Sequence, residues 1–173
     1  VRGLSRSVKD SSENLEWKST DLFSFQSTDK AMQDTDVAIF LVHSMLPSTR
    51  LFQGNFQDTD LMLADNFARA CVKNNVKQII YLGGLAPVSG ASKHLSSRIE
   101  VEDVFKSTNI PLVILRAGMV VGNGGSSFEI LKNLVMNLPG MILPQWTKSN
   151  TQAIFIDDLV SVIKDSIGNN KYF

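Results

Sequence analysis

His94 and Arg98 stand four residues apart in the stretch KHLSSRIEVE, residues Lys93 to Glu102, and Glu102 follows after four more. On a helix this spacing sets imidazole, guanidinium and carboxylate on one face, a turn apart. Imidazole transfers protons near neutral pH, whereas guanidinium keeps its charge and serves to hold an oxygen, of a ribose hydroxyl or a phosphate. A cation one turn away lowers the imidazole pKa and favours the neutral base. Ser89 and Ser92 precede the helix and offer hydroxyls that polarise a substrate oxygen. The candidate catalytic set is therefore His94, Arg98 and Ser92. A second account fits the same residues: an ordinary helix start, with Arg98 paired to Glu102 on its surface. Both stay open at this level.

Further polar residues and glycines gather where apolar runs end. Ser5-Arg6-Ser7, with Lys9 nearby, brings a planar fork of donors and two hydroxyls, a set suited to a phosphate monoester. In a dinucleotide fold this position meets the adenosine ribose, and an Arg there accommodates the 2′-phosphate of NADP. Asp21, in Thr20-Asp21-Leu22, either accepts from an adenine amino group or caps the next turn. His43 and Ser44 follow VAIFLV, and Gly83-Gly84 follow VKQIIYL, where bare backbone allows a ligand or a tight turn. Arg116-Ala117-Gly118 follow LVIL, and the run Gly122 to Ser127 leads into a helix whose free N–H groups suit an anion or a capping serine.

The elements that must position these groups are readable from the pattern. Strand-like runs occur at Val1–Leu4, Leu15–Lys18, Val37–Val42, Val76–Leu82 and Leu112–Leu115. The longer three are almost continuously apolar, as in a parallel sheet covered on both faces. Helices are expected over Phe56–Asn74, His94–Phe105, Phe128–Leu138 and Asp157–Ile167. The first carries a stripe of Phe56, Leu61, Ala64, Ala68, Cys71 and Val72, with Asp58 or Asp60 as cap and Asn74-Asn75 as stop. Leu134 to Trp146, with Met136, Met141 and Ile142, walls an apolar pocket or forms a packing stripe. Alternation of strand and helix with short connections makes the class α/β, a doubly wound and mainly parallel sheet in one domain over 1–173. In such sheets ligands lie beyond the carboxyl ends of the strands.

Composition narrows the field. Seventeen basic and seventeen acidic residues cancel without long runs, which disfavours nucleic acid and membrane surfaces. The apolar runs fall far short of the ~20 residues of a membrane span. A single cysteine excludes an internal disulfide framework, and two His with one Cys give no metal-ligand spacing. No esterase elbow of the form G-x-S-x-G occurs. A cytoplasmic, reducing setting is the expectation. The chain opens at Val1, inside a strand-like run, so it is expected to begin within a domain.

Taken together, VRGLSRS, TDL, DVAIFLVHSM, DTDLMLADNFARAC, VKQIIYLGGLAP, HLSSRIEVEDVF, IPLVILRAGMVVGNGGSSFEIL and QAIFIDDLV resemble, in order and spacing, the atypical short-chain dehydrogenase/reductases. The likeness is to the NmrA-like and nucleoside-diphosphate-sugar-epimerase-like branch, in particular bacterial SDR family oxidoreductases. It implies a Rossmann fold that binds NADP(H) in preference to NAD(H). Arg6 and Ser7 would lie near the 2′-phosphate, Asp21 and Leu22 by the adenine, and His43 and Ser44 beside the ribose. Gly83 and Gly84 would line the nicotinamide side, and Arg116, Ala117 and Gly118 match the family's Arg-Pro-Gly segment with Ala for Pro. The family's first strand and glycine-rich loop have no counterpart in this sequence. His94 and Arg98 replace its Tyr-x-x-x-Lys pair. The implied activity is hydride transfer between nicotinamide and a carbonyl or alcohol of a small-molecule substrate, by an oxidoreductase or an epimerase-like enzyme. The alternative is a non-catalytic NADP(H) sensor or an interaction scaffold. Relatives dimerise through the helices matching Phe56–Asn74 and His94–Phe105, so a homodimer is possible.

Overall fold

The computed structural model describes residues 1–42, 56–85, 93–123, 126–137 and 150–172. Along the chain run β1 (Arg2–Ser5), β2 (Glu16–Ser19), α1 (Phe25–Met32), β3 (Val37–Phe40), α2 (Phe56–Lys73), β4 (Gln78–Gly84), α3 (Lys93–Lys106), β5 (Leu112–Ala117), β6 (Met119–Val121), α4 (Ser126–Asn137), β7 (Ala153–Phe155) and α5 (Ile156–Ser166). The α/β class is as expected. Three elements, α1, β6 and β7, go beyond the sequence reading. Helix α1 buries only Thr28, Ala31 and Met32, too few to make an apolar stripe, and the two strands are three residues each.

Every strand pair is parallel, in the groups β1-β2, β3-β4-β5 and β6-β7. Among the described residues no ladder joins β1 to β3. Arg2 instead ties the start of β1 to the end of α1, donating to the carbonyls of Ala31 and Gln33.

The core lies between β3-β4-β5 and the helices α2 and α3. Phe105 of α3 meets Phe40 of β3 and Tyr81 of β4 at ring-centroid separations of 5.2 and 5.4 Å, and Phe40 meets Phe67 of α2 edge-on at 4.9 Å. Edge-to-face contacts of this kind add to area burial. Ala64, Ala68 and Cys71 of the expected stripe are buried, together with Asp60, Leu63, Asn66, Phe67 and Ala70, whereas Leu61 and Val72, assigned inward from spacing, face out. Phe67 lies inward against the rings of Phe40 and Phe105, and those contacts set the facing of the helix. Asp60, read as a possible cap, sits inside the helix and is buried.

The stop of α2 is as read. Asn75 takes φ +53°, and the amides of Asn75 and Val76 close on the carbonyls of Val72 (3.2 Å) and Cys71 (3.0 Å). This is the paired bonding of a Schellman end, with Asn in place of Gly. Helix α1 docks on α2 through Lys73 Nζ to Asp29 Oδ2 (2.6 Å) and Asn74 Nδ2 to Asp29 Oδ1 (2.9 Å). On the opposite face of the sheet, Gln78 of β4 donates to the Ser166 carbonyl (2.8 Å) and accepts from Gly168 N–H (2.8 Å), anchoring the end of α5.

Candidate functional site

The parallel ladders carry the carboxyl ends of β4 and β5 to the same level. Gly83 pairs with Arg116 and Gly84 with Ala117, so four of the expected site residues are neighbours across one ladder. Arg6 and Ser7 follow β1 beside the end of β2. There Ser19 Oγ donates to the Arg6 carbonyl (3.3 Å), the Thr20 amide to the Ser5 carbonyl (2.8 Å), and Ser5 and Ser7 hydroxyls lie 3.2 Å apart. Arg6 is exposed. Lys9 stacks on Trp17, its Nζ 4.2 Å from the ring centroid.

Asp21 holds the turn before α1, its Oδ1 accepting from the Phe23 amide at 3.0 Å. The carbonyls of Leu22 and Phe23 receive both bonds from the Asn66 amide, at 2.9 and 3.1 Å. Leu22 itself packs against the core. His43, Ser44, Ser89 and Ser92 lie outside the described residues, as does the side chain of His94, which stands in the first turn of α3. Met141, Ile142 and Trp146 also lie outside them, while Leu134 and Met136 are exposed on α4.

Glycines in this region serve packing. A Cβ on Gly118 would stand 2.6 Å from the Gln152 carbonyl oxygen and 2.7 Å from Thr151 Oγ1, where the chain passes from β5 to β6 against the segment entering β7. One on Gly122 would overlap Ile156 at 2.5 Å. Gly83 faces the ring of Tyr81 and the carboxylate of Glu102.

Glu102 has no exposed surface. Its partner is Arg116, not Arg98: Arg116 Nε donates to Oε1 at 2.9 Å and Nη2 to Oε2 at 2.6 Å. Lys106, one turn on, stands 3.8 Å away. The carboxylate in turn raises the pKa of the Arg116 guanidinium. The surface pair of Arg98 with Glu102 is thus replaced by a cross-element one, because Arg116 reaches the carboxylate with two donors in one plane.

Arg98 is directed to Tyr81 instead. Burial pushes the Tyr81 hydroxyl upward, the Arg98 cation and its hydrogen bond pull it back, and Glu102 and Asp60 add to the rise. Arg98 Nε is buried with no hydrogen-bond partner among the described residues. Ser97, also buried, donates to Asp60 at 3.4 Å. The seam of α2, α3 and β4 therefore holds a polar cluster of Asp60, Tyr81, Ser97, Arg98 and Glu102. Its signal in sequence was slight: one phenol inside an apolar strand, and acidic residues at inward helical positions. A groove of about 300 Å³ lined by Asp36, Lys77, Gln78, Pro111 and Asn170 lies at the amino ends of β3 and β4, away from these groups.

Comparison with known proteins bears on the fold. No family model matches the chain. The auxiliary protein GraX of Staphylococcus aureus is 34% identical over 70 residues, which cover 40% of this chain and 23% of GraX. The structure of the Bordetella bronchiseptica enzyme WbmH in complex with NAD+ is similar at a TM-score of 0.73 and 16% identity, over 97% of this chain and 63% of that one. The fold is a Rossmann fold. A triphenylmethane reductase from Citrobacter sp., complexed with NADP(H), matches at 0.52 and 19% identity over 62% of this chain and 34% of its own. The chain thus spans less than two thirds of each of these relatives. None of the described helices is long and apolar enough to cross a membrane.

Proposed function

We propose that this Rossmann domain binds NADP(H) at the carboxyl ends of β1 to β5 and belongs to an SDR-type oxidoreductase or epimerase-like enzyme. What carries the reading is the alignment of Gly83-Gly84 with Arg116-Ala117 at the level where parallel α/β sheets take ligands. Structures of this fold in complex with NAD+ and with NADP(H) support it. Arg6 and Ser7 at the end of β1 would hold the 2′-phosphate, which favours NADP(H) over NAD(H). A bound nicotinamide would supply the hydride acceptor or donor. His94 at the start of α3 would move the proton, with Ser92 polarising the substrate oxygen.

Among the described residues β1 pairs with β2 alone and β3 with β4 alone, so each keeps a second edge for a further parallel strand. We assign that place to the family's first strand, whose glycine-rich turn would receive the pyrophosphate.

A non-catalytic role, as sensor or scaffold of NmrA-like type, is the second reading. It is favoured by the engagement of Arg98 with Tyr81 and by the likeness to a protein described as auxiliary. Titration of the full-length protein with NADPH and NADH, followed by nucleotide fluorescence, tests the first reading. The expected result is a response to both with tighter binding of NADPH, and silence toward both leaves the scaffold. Turnover of carbonyl substrates unchanged in His94→Ala would remove His94 as the proton carrier.

A further inference from the structure

Glu102 is fully buried, yet its carboxylate reaches Arg116 at the carboxyl ends of β4 and β5. A buried carboxylate has to be paired, but apolar side chains in place of a buried pair are often as stable or more so. Stability alone therefore does not call for Glu102 and Arg116. Their geometry offers another reason. Glu102 takes Nε and Nη2, the side-on edge of the guanidinium. The end-on edge, Nη1 with the second N–H of Nη2, donates to no described residue, and the Arg116 side chain is 48% exposed. One edge is anchored inside the fold and the other is offered outward, a planar fork matched to carboxylate or phosphate. Gly83, opposite Arg116, brings bare backbone beside the anchor: a Cβ there would crowd the Tyr81 ring at 3.1 Å and only touch Glu102 Oε1 at 3.5 Å.

We propose that Glu102 is a positioning residue, which fixes Arg116 so that its end-on edge receives an anionic oxygen of a ligand lying over β4 and β5. The anion is a phosphate or carboxylate, of the dinucleotide or of the substrate, and in this the proposal rests on the strand ends being a ligand site.

Inorganic phosphate is the probe, titrated into the full-length protein. The Arg116 Nε–H resonance, assigned by its loss in Arg116→Lys, reports the contact. The resonance shifts with phosphate in the wild type, and Glu102→Gln weakens phosphate binding at least tenfold with an unchanged near-ultraviolet circular dichroism spectrum. A wild-type resonance that ignores phosphate, or equal affinity in Glu102→Gln, overturns the proposal. Should Glu102→Gln fail to fold, Arg116→Lys keeps the charge beside Glu102 but loses the planar fork. Its phosphate affinity, read from phosphorus line width, falls tenfold, and wild-type affinity there overturns the proposal too. Saturating NADPH then separates the sources. A response abolished by NADPH assigns the edge to the dinucleotide, and one that persists assigns it to a substrate anion. If the protein binds no dinucleotide, the response to phosphate still stands, so the two readings fail separately.

Discussion

Gly118 shows how one missing atom shapes the rim of the sheet. A Cβ there would press on backbone, the Gln152 carbonyl, which cannot swing aside as a side-chain end can. Gly118→Ala is expected to destabilise by about 1–3 kcal/mol through overpacking. Gly168→Ala meets open space but keeps φ at +66°, and should cost about 1–2 kcal/mol. Urea unfolding of the two variants checks both figures, and a neutral Gly118→Ala would contradict the packing. At the buried cluster, Tyr81→Phe removes the hydroxyl that feels the Arg98 cation and the Glu102 and Asp60 carboxylates. The cost should be about 1 kcal/mol, that of one part-buried polar contact, read from the same urea unfolding. These roles were only partly legible. The sequence marked Gly83, Arg116 and Gly118 by their place after strands, but offered for Glu102 only a local partner, Arg98, four residues away, when the partner is Arg116, fourteen away.

Among the elements, helix ends were more legible than helix faces. The turn of backbone at Asn75 is a local matter, since Asn tolerates the left-handed region and binds locally. Asn75→Ala should lower stability by about 1 kcal/mol, while Asn75→Gly should hold or raise it, as measured by thermal unfolding. On the inward face of α2, Ala64, Ala68 and Cys71 are as read, but Leu61 was placed inward, and Leu63, which is equally apolar, takes that role. Only the position of the Phe40 and Phe105 rings selects Phe67, and with it Leu63, for the core. Short elements such as β6, β7 and α1 carry too few apolar residues for a periodic signal, and they form because neighbours complete them.

For the whole molecule, burial sets the response to base. Cys71 is fully buried, and desolvation pushes its thiol from 9.0 to about 12. The native state therefore holds its proton where the unfolded state loses it. Stability is fully present below the unfolded value and falls as pH rises through that window, from about 9 to about 12. Tyr81, also raised, acts with the same sign. Chemical denaturation between pH 8 and 11 should show this decline, and Cys71→Ala should make it shallower. The native thiol should also stay inert to thiol reagents at pH 8, because the thiolate is the nucleophile.

By itself, the sequence determined the α/β class, the order of the long strands and helices, the helix stops and the residues that follow each strand. Those features depend on local pattern: unbroken apolar runs, helical spacing, turn residues. Only the tertiary structure decided which face of α2 turns inward, why Gly118 and Gly122 must lack a side chain, and which cation answers Glu102. Those outcomes depend on distances between segments far apart in the chain, and spacing along the chain carries no measure of them.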